Sequence, residues 1–155
     1  MRLALIAPIF LLAACQPSPA APRDPAASPP SAVGDLGDPG PAGALAVART
    51  YFDRIARRQF AEAAQLEGGQ AAADDTARRF ADDREVRAAF SEAPTIEGAA
   101  GSSYATLPLV IHGVDGSGKP FHYVAALTLR RANDVPGSTP EQRGWHIDRL
   151  EPAAD

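Results

Sequence analysis

Apolar residues recur at helical spacing in the first regular part of the chain, from Ala44 to Arg58. Steps of three and four place the apolar side chains on one face of a helix and the charged side chains on the other. The apolar positions are Leu45, Ala48, Phe52 and Ile55, and the charged positions opposite them are Arg49, Asp53 and Arg57. The pattern predicts an amphipathic helix over this segment.

Helical spacing continues beyond this helix, from Gln59 to Leu66, and the sequence Gly68-Gly69 then interrupts it. We expect either a second helix or a kinked extension of the first. A third helix is predicted to begin at Asp74 or Asp75, whose side chains can cap a helix, and to end before Pro94. The apolar residues expected to be buried on it are Phe80, Val86 and Phe90.

The period of the pattern changes from 3.6 to 2 in the second half of the chain, which is typical of strands. Alternation runs over Tyr104 to His112 and again over Phe121 to Arg131, and Trp145 and Ile147 indicate a short last strand. Asp115-Gly116 favours a hairpin between the first two strands, and a polar loop at 133–143 precedes the last. Helices followed by an antiparallel sheet predict an α+β fold.

The amino terminus has the composition of an export signal. Met1-Arg2 supplies a positive start, and a run of about ten apolar residues follows, which is too short to cross a bilayer as a helix. The run ends in Leu12-Ala13-Ala14-Cys15, which resembles the lipobox of bacterial lipoproteins. The resemblance implies that residues 1–14 are a signal peptide and that Cys15 is acylated at the new terminus. The alternatives are a secreted protein with an unpaired cysteine and an uncleaved anchor.

Residues 15–43 are rich in Pro, Ala, Gly and Ser and contain few large apolar side chains. Such a segment cannot bury enough surface to offset the entropy of ordering it, so we expect a disordered tether. Residues 44–152 then form a single α+β domain of ordinary size. By analogy with lipoprotein sorting, Gln16 after the cysteine favours the periplasmic face of the outer membrane.

The charge balance argues against nucleic acid as a partner. The chain has fifteen basic and nineteen acidic residues and a net charge of −4, and loss of Arg2 with residues 1–14 would change it to −5. A single cysteine allows no disulfide within the chain, so a packed core must stabilise the domain.

Several segments together resemble the nuclear transport factor 2-like, or cystatin-like, fold. They are Tyr51-Phe52-Asp53 on the first helix, Phe60, Ala63 and Leu66 after it, the long hairpin, and the closing strand with Trp145 and Ile147. Residues 98–104, 130–137 and 145–147 are similar to segments of small uncharacterised lipoproteins of Gram-negative bacteria. The resemblance implies helices packed on a curved, cone-like antiparallel sheet. It implies no activity, because the superfamily contains enzymes, ligand binders and assembly modules.

Two groups of residues are candidates for binding. The first is an aromatic set that could line a cleft between sheet and helices: Tyr51, Tyr104, Tyr123 and Trp145. The second is Arg130-Arg131, which could bind a carboxylate or phosphate of an envelope polymer. We expect Asp148 to lie across the strands from Arg130.

No catalytic, metal or cofactor site is predicted. His112, His122 and His146 are expected on the outer face of the sheet, and the serines lie in glycine-rich loops without a nucleophile elbow. The preferred hypothesis is therefore a non-catalytic, lipid-anchored periplasmic module that binds an envelope protein or a small apolar ligand. The alternatives are an envelope-polymer binder and a small cone-fold enzyme of the isomerase or cyclase type, with Asp53, Tyr104 or a histidine inside the cone.

Overall fold

The computed structural model describes residues 35–153. The predicted signal peptide, Cys15 and most of the predicted tether lie outside the described residues. Within residues 35–153, no helix combines the length and the apolar character needed to span a membrane.

Four α-helices, one 3₁₀ helix and five strands follow one another in the described part of the chain. In order they are α1 (Pro41–Ala56), α2 (Phe60–Ala64), α3 (Gly69–Ala73), the 3₁₀ helix (Thr76–Phe80), β1 (Glu85–Phe90), β2 (Thr95–Ala99), β3 (Ser102–Val114), β4 (Pro120–Ala132), α4 (Pro140–Arg143) and β5 (His146–Pro152). The helices pack against one curved antiparallel sheet, which confirms the predicted α+β class.

Helix α1 begins three residues before the predicted start at Ala44. Pro41 occupies the first turn, where its missing N–H costs nothing, and Gly40 is the N-cap. Gly43 is buried, and a side chain there would collide with the carbonyl of Asp38, so the position needs glycine. Of the predicted apolar face, Ala48, Phe52 and Ile55 are less than 5% exposed and Leu45 is half-buried. Val47 and Tyr51, which the prediction does not include, are buried as well.

Helices α1 and α2 are separate rather than one kinked helix. Arg58 adopts the left-handed conformation with φ of 61°, which ends the first helix. Its guanidinium donates hydrogen bonds of 2.7 Å to the carbonyl of Asp83 and 2.6 Å to that of Ala81, and it lies 5.2 Å from the ring centroid of Phe60. These contacts hold the reversal between the helices against the segment that leads into β1.

The predicted third helix is wrong over most of its length. Only the 3₁₀ helix forms there, and residues 85–90 form strand β1. Val86 and Phe90 are four positions apart, a spacing that puts two side chains on one face of either a helix or a strand. Phe80 and Val86 are buried as expected, each 4% exposed, whereas Phe90 is half-buried.

Strands β1 and β2 pair with successive parts of one edge of β3. β1 pairs with residues 109–114 and β2 with residues 102–106, both antiparallel. Strand β2 is exposed along its whole length, so its sequence has no buried face that an alternating pattern could reveal. Beyond β3 the order continues through β4 to β5.

Strands β3 and β4 form the centre of the sheet through thirteen residue pairs. Their odd-numbered residues face the helices, as the alternation predicts, and include Ala105, Leu107, Leu109, Ile111, Ala125, Leu127 and Leu129, each no more than 1% exposed. Even-numbered residues face outward. The core therefore lies between α1 and the inner face of this hairpin.

The segment 66–68 extends the sheet beyond β5. The N–H of Ile147 donates to the carbonyl of Leu66, and the N–H of Gly68 donates to the carbonyl of Ile147, each at 2.8 Å, in a parallel bridge. The register of β4 with β5 shifts between Thr128 and Leu129, which leaves Asp148 as the extra residue of a bulge. This shift turns the Asp148 side chain toward the turn that precedes α3.

Candidate functional site

A cavity of about 660 Å³ lies where the ends of β3, β4 and β5 meet the turn before α3 and the loop that contains α4. This volume is within the range of small-molecule sites. The residues that line it are Glu67, Gly68, Gly69, Gly101, Ser102, Arg130, Arg131, Ala132, Val135, Pro136, Gly137, Ser138, Glu141, Gln142, His146 and Asp148. We refer to it as the end cavity.

Arg130 lies in the wall of the end cavity on the outer side of the sheet. Its Nε and Nη2 donate to the buried hydroxyl of Ser102, at 3.3 and 3.0 Å, and its guanidinium lies 5.9 Å from the ring centroid of Tyr104. Ser102 thus positions two of the guanidinium nitrogens. Nη1 makes no hydrogen bond within the described part of the chain and can donate to a ligand.

Arg131 lines the same cavity, although strand alternation turns its side chain the other way. Its Nε donates to the carbonyl of Arg143 at 2.9 Å, and its guanidinium lies 5.8 Å from the ring centroid of Trp145. The backbone carbonyl and the aromatic ring hold the cation in place. The end cavity therefore brings together the two arginines that the sequence singled out.

The loop over the end cavity is stabilised by its own side chains. Thr139 and Gln142 form a capping box at the start of α4, with reciprocal bonds of 3.3 and 3.0 Å between side chain and backbone. Arg143 bonds to the carboxylate of Asp134 at 2.8 Å and to the carbonyl of Ser138 at 3.2 Å. The contacts of Arg143 thus join the end of the loop to its beginning at Asp134.

Acidic groups line the opposite wall. Oε1 of Glu67 accepts hydrogen bonds from the hydroxyl of Tyr51 at 2.6 Å and from the N–H of Ala77 at 2.7 Å. Burial, reinforced by the Glu67 carboxylate, raises the pKa of the Tyr51 hydroxyl, so the phenol stays protonated and donates. The Tyr51–Glu67 pair fixes the turn that leads into the cavity wall.

Asp148 adds a second carboxylate to that wall and is only 8% exposed. Its Oδ2 accepts from Nε of Arg149 at 3.3 Å. Gly69 adopts φ of +50°, and a side chain there would collide with Oδ1 of Asp148, so the position needs glycine on both counts. The expected pairing of Asp148 with Arg130 is wrong, because the bulge makes His146 the partner of Arg130 across the strands.

His146 lies at the edge of the end cavity, with Nε2 at 2.8 Å from the carbonyl of Glu141. The cavity wall thus contains two arginines and three acidic residues, Glu67, Glu141 and Asp148. Hydrogen bonds from its own backbone N–H and from the Thr139 hydroxyl lower the pKa of the Glu141 carboxyl. The end cavity is therefore of mixed charge, rather than uniformly basic.

The four candidate cleft aromatics do not come together. Tyr51 and Trp145 belong to the core, at 0% and 2% exposed, and Tyr104 lies on the outer face of the sheet. Tyr123 stacks on Phe121 in a separate groove of about 340 Å³ near the start of β4. An aromatic side chain at an inward position fills a core as readily as it lines a cleft, so residue type alone could not separate the two.

The groups considered for an enzyme lie apart. Asp53 is on the exposed side of α1, where it forms a 3.2 Å ion pair with Arg57. His112 and His122 lie opposite each other on the outer face, far along the hairpin from the end cavity. Within residues 35–153 no group of three or more His, Cys, Asp or Glu side chains is arranged to hold a metal ion.

Sequence reasoning missed Glu67, the turn at Gly68-Gly69, Ser102 and the apolar residues of the loop over the end cavity. The glycine pair was assigned only the role of ending a helix, and Ser102 lay in a segment expected to be a loop. The sequence does contain one signal for this wall: Gly68 and Gly69 directly follow Glu67, and two glycines in a row allow another segment to approach the backbone closely. Their contact with β5, eighty positions later, is not visible in the sequence.

Comparison with known proteins bears on the fold. Neither a family model nor a curated protein matches the sequence. A solved structure described as a nuclear transport factor 2 (NTF2-like) superfamily protein from Salmonella enterica serovar Typhimurium has a TM-score of 0.50 and 14% sequence identity, over 69% of this chain and 84% of that chain. Identity this low concerns the fold alone. The chain has an NTF2-like α+β fold, as the sequence resemblance predicted.

Proposed function

We propose that this protein is a lipid-anchored protein of the bacterial envelope whose domain binds a ligand in the end cavity without transforming it. The observation that carries the proposal is the placement of Arg130 and Arg131 in the wall of one cavity of about 660 Å³. The NTF2-like superfamily includes binding as well as enzymatic members, so the fold is compatible with this role.

The ligand we propose has one anionic group, a carboxylate or a phosphate. Arginine presents a fork of N–H donors that matches both groups, and a partly enclosed site strengthens the charged hydrogen bond. Glu67 and Asp148 on the opposite wall would repel a second anion. The remainder of the ligand is therefore neutral or cationic, as in a peptide or an amino sugar derivative.

Binding without catalysis is supported by how the polar side chains of the end cavity are engaged. The hydroxyl of Ser102 accepts from Arg130, and the ring of His146 lies against the carbonyl of Glu141. No hydrogen bond joins Ser102 to His146 in the described structure, whereas a nucleophile and its general base lie within hydrogen-bond reach of each other.

The anchor part of the proposal rests on Leu12-Ala13-Ala14-Cys15. Two or three acyl chains on the processed terminus would give stable membrane attachment. Growth with labelled palmitate tests this directly: the wild-type chain should carry the label and sediment with membranes, and Cys15→Ser should do neither. Label on the variant would contradict the assignment.

The binding part is tested with isolated peptidoglycan as the probe. Arg130→Ala and Arg131→Ala should each weaken binding about tenfold or more, because each removes a charged hydrogen bond. Arg57→Ala is the matched control, since Arg57 is an exposed arginine on α1 outside the end cavity. Equal binding by all three variants and the wild type would overturn the proposal.

A further inference from the structure

Two histidines face each other on the outer surface of the central hairpin. His112 on β3 and His122 on β4 are direct partners in the ladder, and both are exposed. The third histidine, His146, pairs with Arg130 near the opposite end of the sheet. Of the three histidines expected on the outer face, only His112 and His122 therefore lie close together.

The hydrogen-bond pattern of the ladder defines how close the pair is. At one end of the hairpin the N–H of Asp115 donates to the carbonyl of Lys119, and at the other the N–H of Asn133 donates to the carbonyl of Gly101. Both pairs join odd-numbered residues and follow the register of the ladder. Because hydrogen-bonded and non-hydrogen-bonded pairs alternate between antiparallel strands, the pairs of even-numbered residues are not hydrogen-bonded. His112 and His122 form such an even pair. Their Cα atoms are therefore about 4.5 Å apart, the closer of the two spacings.

The side chains next to the pair on the outer face leave the two imidazoles accessible to solvent. The neighbouring pairs on the outer face are Val110–Val124 and Val114–Pro120, whose side chains offer no hydrogen bond to an imidazole, and Val124 is 55% exposed. On the other side of His112, β1 places Arg87, which forms a 3.2 Å ion pair with Glu85. The two longest strands of the sheet fix the backbone of the pair, so the two imidazoles start from neighbouring positions.

We propose that His112 and His122 form a two-imidazole clip for a divalent transition-metal ion, whose remaining coordination positions are taken by water. Imidazole nitrogen is a preferred ligand of Zn²⁺, Ni²⁺ and Cu²⁺, with metal–nitrogen distances of about 2.0–2.1 Å for zinc. Two rings that start from neighbouring Cα atoms can meet at one ion by side-chain rotation alone. The clip is independent of the end cavity, and its failure would leave the proposed ligand binding intact.

The decisive experiment is calorimetric titration of the full-length Cys15→Ser chain, without a histidine tag, with NiCl₂ or ZnCl₂. The substitution removes the only thiol as a competing ligand. We expect one ion per chain. His112→Ala and His122→Ala should each weaken binding by at least about tenfold. Mutating a residue that only orients a metal ligand already lowers the affinity by about that factor, and each of these variants removes a ligand itself. His146→Asn should bind as the parent chain does.

A second variant tests the position of the ion through charge alone. Arg87 lies beside His112, so Arg87→Glu replaces a repelling charge with an attracting one and should tighten binding several-fold. Thermal melts give an independent readout, since the same concentration of Ni²⁺ should raise the Tm of the parent chain more than that of His112→Ala. Melts without metal show whether each variant is folded.

Three results would overturn the clip. The first is that the parent chain binds the metal no more tightly than a His112→Ala/His122→Ala double variant. The second is that His146→Asn loses as much metal affinity as the single variants of the pair. The third is that Arg87→Glu leaves the metal affinity unchanged. The first would show that the pair binds no metal, the second that the ion is held elsewhere, and the third that the ion does not lie beside β1.

Discussion

Tyr51 shows how one side chain joins the core to the wall of the end cavity. Its ring is fully buried on the inner face of α1, with the ring of Phe52 at 5.3 Å, and its hydroxyl donates to Glu67. The same carboxylate oxygen accepts the N–H of Ala77. Three segments separate in sequence are thus tied at a single oxygen atom.

Replacing Tyr51 with Phe should therefore destabilise the domain by about 1–2 kcal/mol, because Glu67 would keep its partly buried charge but lose one donor. Chemical denaturation measures the difference. Tyr104→Phe is the matched control: its side chain is half-buried on the outer face, and we expect its stability to remain within about 0.5 kcal/mol of the wild type. A Tyr51→Phe protein as stable as Tyr104→Phe would show that the hydrogen bond to Glu67 contributes nothing.

Helix α4 is the smallest element that shapes the end cavity, and its stability depends on its N-terminal cap. Thr139 accepts from the N–H of Gln142, and the side chain of Gln142 accepts from the N–H of Thr139. A helix of four residues has too few internal hydrogen bonds to persist without such a cap.

Thr139→Ala should release this loop, at a cost of about 0.5–2 kcal/mol to the local structure. Amide hydrogen exchange should accelerate over residues 134–144, while the centre of β3 keeps its protection. Thr106→Ala serves as a control, because Thr106 is exposed on β3 and makes no cap. Unchanged exchange in the loop would contradict a role for the capping box.

The elements that the sequence predicts well are those with a long, one-sided apolar pattern. Helix α1 and strands β3, β4 and β5 are confirmed because each buries one face against the core. β1 was missed because the four-residue step from Val86 to Phe90 suits a helix and a strand equally. β2 was missed because no side chain on it is buried.

The end cavity could be predicted only in part. Arg130 and Arg131 were identified as a candidate anion site because two adjacent arginines end a strand. Their opposite wall comes from the turn at Gly68-Gly69 and from the bulge at Asp148. A bulge shifts the register by one residue, and neither its place nor the pairing of distant segments is encoded in local periodicity.

At the scale of the whole molecule, two aspartates on the same end of the sheet should give opposite responses to pH. Burial, reinforced by Asp115 and Asp82, raises the pKa of the Asp83 carboxyl. A hydrogen bond from the Ser117 hydroxyl, followed by that of the Lys119 N–H, lowers the pKa of the Asp115 carboxyl. Folding therefore disfavours the charge on Asp83 and favours the charge on Asp115.

The two Asp→Asn variants should move the Tm in opposite directions at pH 7. A raised pKa in the folded state means that ionised Asp83 costs stability at neutral pH, so Asp83→Asn should raise the Tm by on the order of one degree, a small effect because the group is only partly buried. Asp115 stabilises the fold above its ordinary pKa of 3.8 and loses that effect as pH falls through the lowered value, so Asp115→Asn should lower the Tm.

Thermal melts from pH 7 to pH 3 check both. The two differences should shrink toward acid pH, as the carboxyl groups become protonated in the wild type. Shifts of the same sign at pH 7 would show that the local charge environments are not as described.

The parallel bridge between Glu67 and Ile147 has a consequence for the order of folding. The central hairpin closes through the short turn at Asp115–Lys119 and can form early, because its contacts are local in sequence. The bridge joins positions eighty residues apart, so its loop-closure entropy is large and it should form late. Proteins open locally, and segments with few buried contacts open at a lower free energy than the core. We therefore expect the wall of the end cavity to open to a ligand while the central hairpin stays closed.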